Sequence, residues 1–287
     1  MPTKRKSLAQ YISEAITDDY LLTIAITSYT QAKHQTRNLP FGLGKTTLSM
    51  ELAYLLNGGS VNDNYQHMDV WEKVKQVMVY DPLALAKLLE PGRQRLVTAI
   101  WDDVQATAPA TQSVPKAIRQ LANFISTERP ELALLIFTTP NLNFISAPLR
   151  KLVNFEIIVS ERGYYEVHKI SYYKNFRKPL QDNMHFDYVE EIPRNEPFPP
   201  LPIPIKGWYD VWRVERKKRL FPHMLKDIET YTKLRQWEQT EGEVVTLTGT
   251  CSKVSGNNYG YVIPPELGAE VHGEEAEIII HRKPKKP

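Results

Sequence analysis

Cysteine is almost missing from this chain: Cys251 stands alone among 287 residues. One thiol excludes a disulfide framework, a cysteine zinc cage and a dithiol redox pair, and it suits a reducing interior. Long apolar runs are missing too. The longest lies within residues 21–29, "LLTIAITSY", well short of the ~20 residues a membrane helix needs. The start, "MPTKRKSLAQYISEAITDD", turns from basic to amphipathic without the apolar core of a secretory leader. A cytoplasmic protein with no membrane contact is the expectation. Charge of one sign is scarce: the net charge is +3, so where the charges cluster matters more than their sum. The seven histidines show no ligand spacing and no G-x-S-x-G occurs, so histidine-metal and serine-hydrolase chemistry lack their residues. What remains, at 42% hydrophobic and 24% charged residues, is an ordinary globular composition. It is long enough for a domain of about 200 residues plus a smaller appendage.

A further absence is more telling. Residues 39–49 read "LPFGLGKTTLS", the later part of a G-x-x-x-x-G-K-[ST] phosphate loop with Leu39 where the first glycine belongs. The essentials are nonetheless present. Gly42, Leu43, Gly44, Lys45, Thr46 and Thr47 offer inward-turned backbone N–H groups, a helix start, a lysine for terminal phosphates and a hydroxyl for Mg²⁺. Pro40 and the insert at 29–38 indicate that the chain enters this loop by a different route.

Around the loop, apolar runs alternate with helical patterns. Helices are expected at 7–17, 45–59, 81–90, 114–129 and 147–153, and strands at 21–28, 77–80, 96–101, 132–139, 155–160 and 164–173. Such alternation predicts an α/β fold, a mainly parallel sheet covered on both faces. Ligands bind beyond the carboxyl ends of such strands. The acidic pair Asp102–Asp103 closes one of those strands. Asp102 is placed to hold Mg²⁺ and Asp103 to orient an attacking water, unless the latter is a solvated acid or a helix cap. In NTPases of this type, a strand inserted between the loop strand and the acidic strand brings a polar residue to the γ-phosphate. Thr139 is the candidate and Asn141, which also suits a turn, the alternate. Arg150 stands where a ring subunit could offer a cation to its neighbour's phosphate, or is a surface arginine.

Beyond residue 191 the texture changes. Residues 193–204, "PRNEPFPPLPIP", hold six prolines, which predicts an extended linker over 192–205. Residues 206–226 carry seven Lys or Arg against Asp210 and Glu215. They form a basic helix, expected to break at Pro222 within a helical segment 206–240. Arg213, Arg216, Lys217, Lys218 and Arg219 are its candidate DNA-phosphate contacts, a solvated face being the alternative. Residues 241–287 switch to strands and turns, a unit too small for lone stability.

These pieces together resemble an ATPase family of archaeal spindle-shaped viruses and plasmids, related to AAA+ and DnaA-type ATPases. The resembling stretches are "GLGKTTL", "VYDPLALAKLLE", "AIWDDVQ", "LLIFTTPN", "LRKLVNFEIIVSERG" and "GWYDVWRVERKKRL", in that order over about residues 20–220. The resemblance implies an ASCE/AAA+-like P-loop NTPase domain over residues 1–191, with ATP and Mg²⁺ on Lys45, Thr46 and Asp102. It also implies Asp103 near the water, Thr139 as sensor, and service to the DNA of a mobile element in replication, segregation or packaging. The tail, "VVTLTGTCSKVSGNNYGYVIPPELGAEVHGEEAEIIIHRK", is similar to the AbrB/MazE swapped-hairpin fold. That likeness implies a homodimer through residues 241–287, beside any ring formed by the ATPase domain. DNA contact there falls to Lys253, nearly alone in a segment with five Lys or Arg against seven Glu. A non-catalytic regulator that binds nucleotide and works through its tail is the rival reading, and Leu39 favours it.

Overall fold

The computed structural model describes residues 5–16, 21–28, 42–61, 65–90, 95–110, 115–127, 132–161, 163–174, 182–193, 196–239, 245–250, 253–255, 258–259 and 275–280. The chain divides into two units, Met1–Gly207 and Trp208–Pro287. Leu39 and the insert at 29–38 lie outside the described residues.

In the first unit, α1 (Leu8–Ala15) opens on a reciprocal cap. The Ser7 side chain accepts from Gln10 N and the Gln10 side chain accepts from Ser7 N, which satisfies two end donors at once. β1 (Leu22–Ser28) is buried from Thr23 onward. α2 (Lys45–Leu56) ends at Asn57, whose Nδ2 donates back to Ala53 O at 2.7 Å. α3 (Met68–Gln76) has no counterpart among the expected elements. It buries Val70, Trp71 and Val74, and Trp71 stacks on Tyr54 of α2 at 4.4 Å. Then β2 (Met78–Val79), α4 (Pro82–Leu88), β3 (Leu96–Trp101), α5 (Lys116–Thr127), β4 (Leu132–Thr138), α6 (Ala147–Arg150) and β5 (Phe155–Glu161) alternate as the sequence predicts. The Asp81 side chain caps α4, accepting from Ala84 N at 2.8 Å. β6 (Tyr164–Lys174), β7 (Asp182–Tyr188) and the two-residue β8 (Glu196–Pro197) complete the sheet.

The sheet runs β2-β3-β4-β1-β5-β6-β7, with β8 on β6. Every pairing from β2 to β5 is parallel, while β6 pairs antiparallel with β5, β7 and β8. This is the α/β, mostly parallel sheet that the alternation predicts. β1 and β4 lie inside it, so both of their faces need cover, and their runs are apolar without a polar alternation. On one face Ala25, Ala99, Leu135 and Phe137 pack with Leu85, Leu121, Ile125 and Leu149 from the helices. The intervening Ile24, Ile26, Ile100 and Ile136 are fully buried and point the other way by strand alternation; α2 packs on β1, β3 and β4.

The free linker expected over 192–205 is not what forms. Glu196 and Pro197 pair with Tyr165 and Tyr164 of β6, Phe198 N donates to Gly163 O at 2.8 Å, and Ile192 and Ile205 are fully buried. Proline tolerates a sheet edge, where its missing N–H breaks no ladder. The first unit therefore runs to Gly207 rather than 191.

α7 (Ile203–Gln239) opens at Ile203 and runs through Pro222 without the expected break. A proline removes one helical hydrogen bond, and a long helix can absorb that loss as a bend. In the tail β9 (Val245–Thr250) pairs antiparallel with β12 (Glu275–Ile280), and β10 (Lys253–Ser255) with β11 (Asn258–Tyr259).

Candidate functional site

The chain returns from β1 to α2 through two glycines with left-handed backbone, Gly42 at φ +81° and Gly44 at φ +101°. Only glycine takes such angles without strain. A Cβ on Gly44 would also come within 3.1 Å of the Phe198 ring. Gly44 is the N-cap of α2, with no side-chain cap and no acid in the first turn. The helix therefore presents its first-turn N–H groups and the positive end of its dipole. Lys45 is the first helical residue. Its side chain is buried at 8% exposure, with Nζ 3.4 Å from Ser28 Oγ at the end of β1. Burial lowers its pKa, against the opposing pull of the Asp103 and Asp102 carboxylates. The ammonium is thus a poorly hydrated cation facing two acids.

Those acids follow β3. Asp102 is 1% exposed and its N–H donates to Val79 O at 2.9 Å. Its Oδ1 accepts from Thr46 Oγ1 at 2.7 Å and from Thr138 Oγ1 at 2.7 Å. Thr138 Oγ1 in turn accepts from Asp103 N at 2.8 Å. Asp103 itself holds a left-handed backbone at φ +50°, uncommon for a residue with a side chain. A single hydroxyl of β4 thereby fixes both acids.

Thr138 is the residue that sequence reasoning missed. The register that pairs Trp101 with Phe137 brings the following residues, Asp102 and Thr138, level with each other. That signal exists only once the strands are aligned. Thr139, the expected sensor, is fully buried; its Oγ1 donates to Asn141 O at 3.1 Å and its N–H to Ile26 O at 3.1 Å. Asn141 performs turn chemistry, its Oδ1 accepting from Asn143 N at 2.8 Å. Arg150 closes α6, donates to Asn143 Oδ1 at 3.3 Å, and its carbonyl accepts from the Tyr172 hydroxyl. Its contacts are thus with the loop after β4 and with β6.

In the second unit the basic residues divide. Arg213, Lys217, Lys218 and Arg219 are exposed, and Arg213 lies 4.0 Å from Asp210. Arg216 is 7% exposed, with its guanidinium 5.5 Å from the Trp212 ring centre. Trp212 also stacks against Trp208 at 6.1 Å and Tyr209 at 5.9 Å. Arg216 thus packs against an aromatic cluster while its neighbours face solvent.

Among the described residues no group of three or more His, Cys, Asp or Glu could hold a metal ion. The Thr46–Asp102 pair fits a different arrangement: one hydroxyl and one carboxylate, with further oxygen positions left to phosphates and water, as Mg²⁺ prefers. No helix among the described residues is long and apolar enough to cross a membrane.

No family model and no curated protein matches the chain. Among solved structures it is similar to the N-terminal domain of zonular occludens toxin from Neisseria meningitidis. The identity is 13% and the TM-score 0.32, over 59% of this chain and 95% of that one. At that TM-score the likeness decides nothing about this protein.

Proposed function

We infer that the chain is an ATPase of the P-loop class, ASCE/AAA+-like, which binds and hydrolyses Mg·ATP. The observation that carries this reading is the Thr46–Asp102 hydrogen bond of 2.7 Å beside the buried Lys45. It forms at the carboxyl edge of a parallel sheet in which β4 lies between β1 and β3. Lys45 and the first-turn N–H groups of α2 neutralise the terminal phosphates, and Thr46 and Asp102 hold the cation. Mg²⁺, when bound, supplies charge neutralisation across the phosphates. Asp103, its amide anchored on Thr138, orients the attacking water.

The finer reading concerns assembly and partner. An oligomeric enzyme acting on the DNA of a virus or plasmid accounts for three features of the chain. The exposed Arg213, Lys217, Lys218 and Arg219 would meet phosphates, with Arg216 shaping the helix and Lys253 adding a contact from the tail. The AbrB-like tail would pair two chains. Arg150 would serve a neighbour's nucleotide. Light scattering of the chain cut after Thr240 tests the pairing, which predicts a lower mass than that of the full chain.

Steady-state hydrolysis with and without DNA tests the activity. Lys45→Ala should abolish turnover, and Asp103→Asn should slow it while sparing ATP binding, because the lysine carries phosphate charge and the acid only places water. Unchanged turnover in the lysine variant sinks the reading. Tight ATP binding without turnover in the wild type favours a nucleotide-binding regulator instead.

A further inference from the structure

Below the glycine loop, the flank of α2 borders a cavity of about 620 Å³, a size typical of small-molecule sites. Its walls are mainly apolar and aromatic, with Leu48, Leu52, Tyr65, Tyr165 and Phe198 among them. Phe198 connects the two places. It lines the cavity, and its ring would touch a Cβ placed on Gly44. α2 connects them too: Glu51 lies in the cavity wall six residues beyond Lys45, or about 9 Å along the helix at ~1.5 Å per residue.

Glu51 is the polar group that this apolar lining leaves unexplained. It is 8% exposed. Its Oε1 accepts from the Tyr65 hydroxyl at 2.5 Å, while Oε2 is buried with no hydrogen-bond partner among the described residues. A buried carboxyl oxygen left bare is costly. Tyr65 is held for its contact at a left-handed φ of +59°, with its carbonyl accepting from Trp71 Nε1 at 3.0 Å.

We propose that this cavity seats the adenine ring of the nucleotide whose phosphates meet the glycine loop, and that Glu51 Oε2 selects adenine over guanine. The proposal rests on the phosphate-loop reading above and extends it to the base. Burial raises the Glu51 pKa to about 7, against the opposing Tyr65 hydrogen bond. Tyr165 of β6 and Glu196 of β8 line the same cavity. With Oε1 occupied as an acceptor for Tyr65, the acid proton belongs on Oε2, which then donates. The ring nitrogen beside adenine's amino group accepts such a bond. The corresponding guanine nitrogen carries a hydrogen and opposes donor to donor. A site built around one buried polar atom rejects the ligand that leaves it unpaired.

Calorimetry on the full chain at pH 6 separates this claim from the one beneath it, using Mg·ATP, Mg·GTP and inorganic tripolyphosphate as probes. Wild type should bind ATP at least about tenfold more tightly than GTP, the scale of one lost hydrogen bond. Glu51→Ala should erase that preference while tripolyphosphate still binds. Glu51→Gln, which keeps a donor, should retain it, and thermal unfolding of both variants checks their folding. An unchanged ATP-to-GTP ratio in Glu51→Ala, or a wild-type preference for GTP, overturns the base assignment alone. Failure of wild type to bind either ATP or tripolyphosphate overturns the phosphate-loop reading and this inference with it.

Discussion

Two buried carboxylates lie on or beside α2, and the protein treats them in opposite ways. Asp102, at the glycine-loop end, has two hydroxyls on a single oxygen at 2.7 Å each. Glu51, on the cavity side, has one hydroxyl on Oε1 and nothing on Oε2 among the described residues. Both are nearly inaccessible, at 1% and 8%. The difference lies in the partners. A carboxylate with several donors and a cation nearby keeps its charge at low cost, and burial with one neutral partner favours the protonated acid. On the proposed reading the first end suits a cation, and the second a ligand that can accept from a proton donor.

The largest expected effect breaks this contrast at Glu51. Its carboxyl titrates near 7 in the folded protein, against a reference of 4.5. Between those values the folded state holds a proton that the unfolded state has released, so stability falls as pH rises and levels off above about 7. The shift corresponds to about 3 kcal/mol at its full extent. Glu51→Gln cannot titrate. Relative to wild type it should gain about 2.5 kcal/mol between pH 5 and pH 8, whatever its constant offset from swapping an oxygen for an amide. Urea unfolding at the two pH values measures that gain. A difference that does not change with pH would mean that Glu51 is charged in the fold, and that the two carboxylates are alike.

How far the sequence reveals these two ends differs for a physical reason. The loop and the acidic pair are local patterns: glycines that must adopt positive φ, a lysine at a helix start and acids after an apolar run. Lys45, Thr46 and Asp102 accordingly come together as their spacing predicts. The Glu51 site is assembled from α2, a turn at Tyr65, β6 and the segment 196–199, and no short stretch of sequence contains it. The prolines at 193–204 conceal it further. Composition marks them as a spacer, whereas pairing of Glu196 and Pro197 with β6 brings Phe198 beside the loop. α3 escapes notice for a related reason, because its buried face of Val70, Trp71 and Val74 is too short to stand out from the surrounding polar residues. The choice between Thr138, the last residue of β4, and Thr139 just after it is likewise a matter of register: only alignment with β3 shows which of them meets Asp102.

That choice supplies the smaller test, which makes Asp102 more like Glu51. Thr138→Val keeps the shape of the side chain and removes one of the two hydroxyls on Asp102 Oδ1, together with the acceptor for Asp103 N. A hydrogen bond to a charged group contributes about 1.5–3 kcal/mol. If that holds in the transition state, ATP turnover should drop roughly tenfold to a hundredfold. Thr139→Val removes only a hydroxyl that donates to the Asn141 carbonyl. It should cost about 1 kcal/mol of stability and leave turnover within about twofold. Paired kinetics and thermal unfolding distinguish the two, since a purely structural defect would lower the melting temperature of both without separating their rates. A turnover loss concentrated in Thr139→Val would restore that residue as the phosphate sensor. It would also show that the second hydroxyl on Asp102 is a matter of packing, and that a carboxylate needs no more than one partner to do its work at this edge of the sheet.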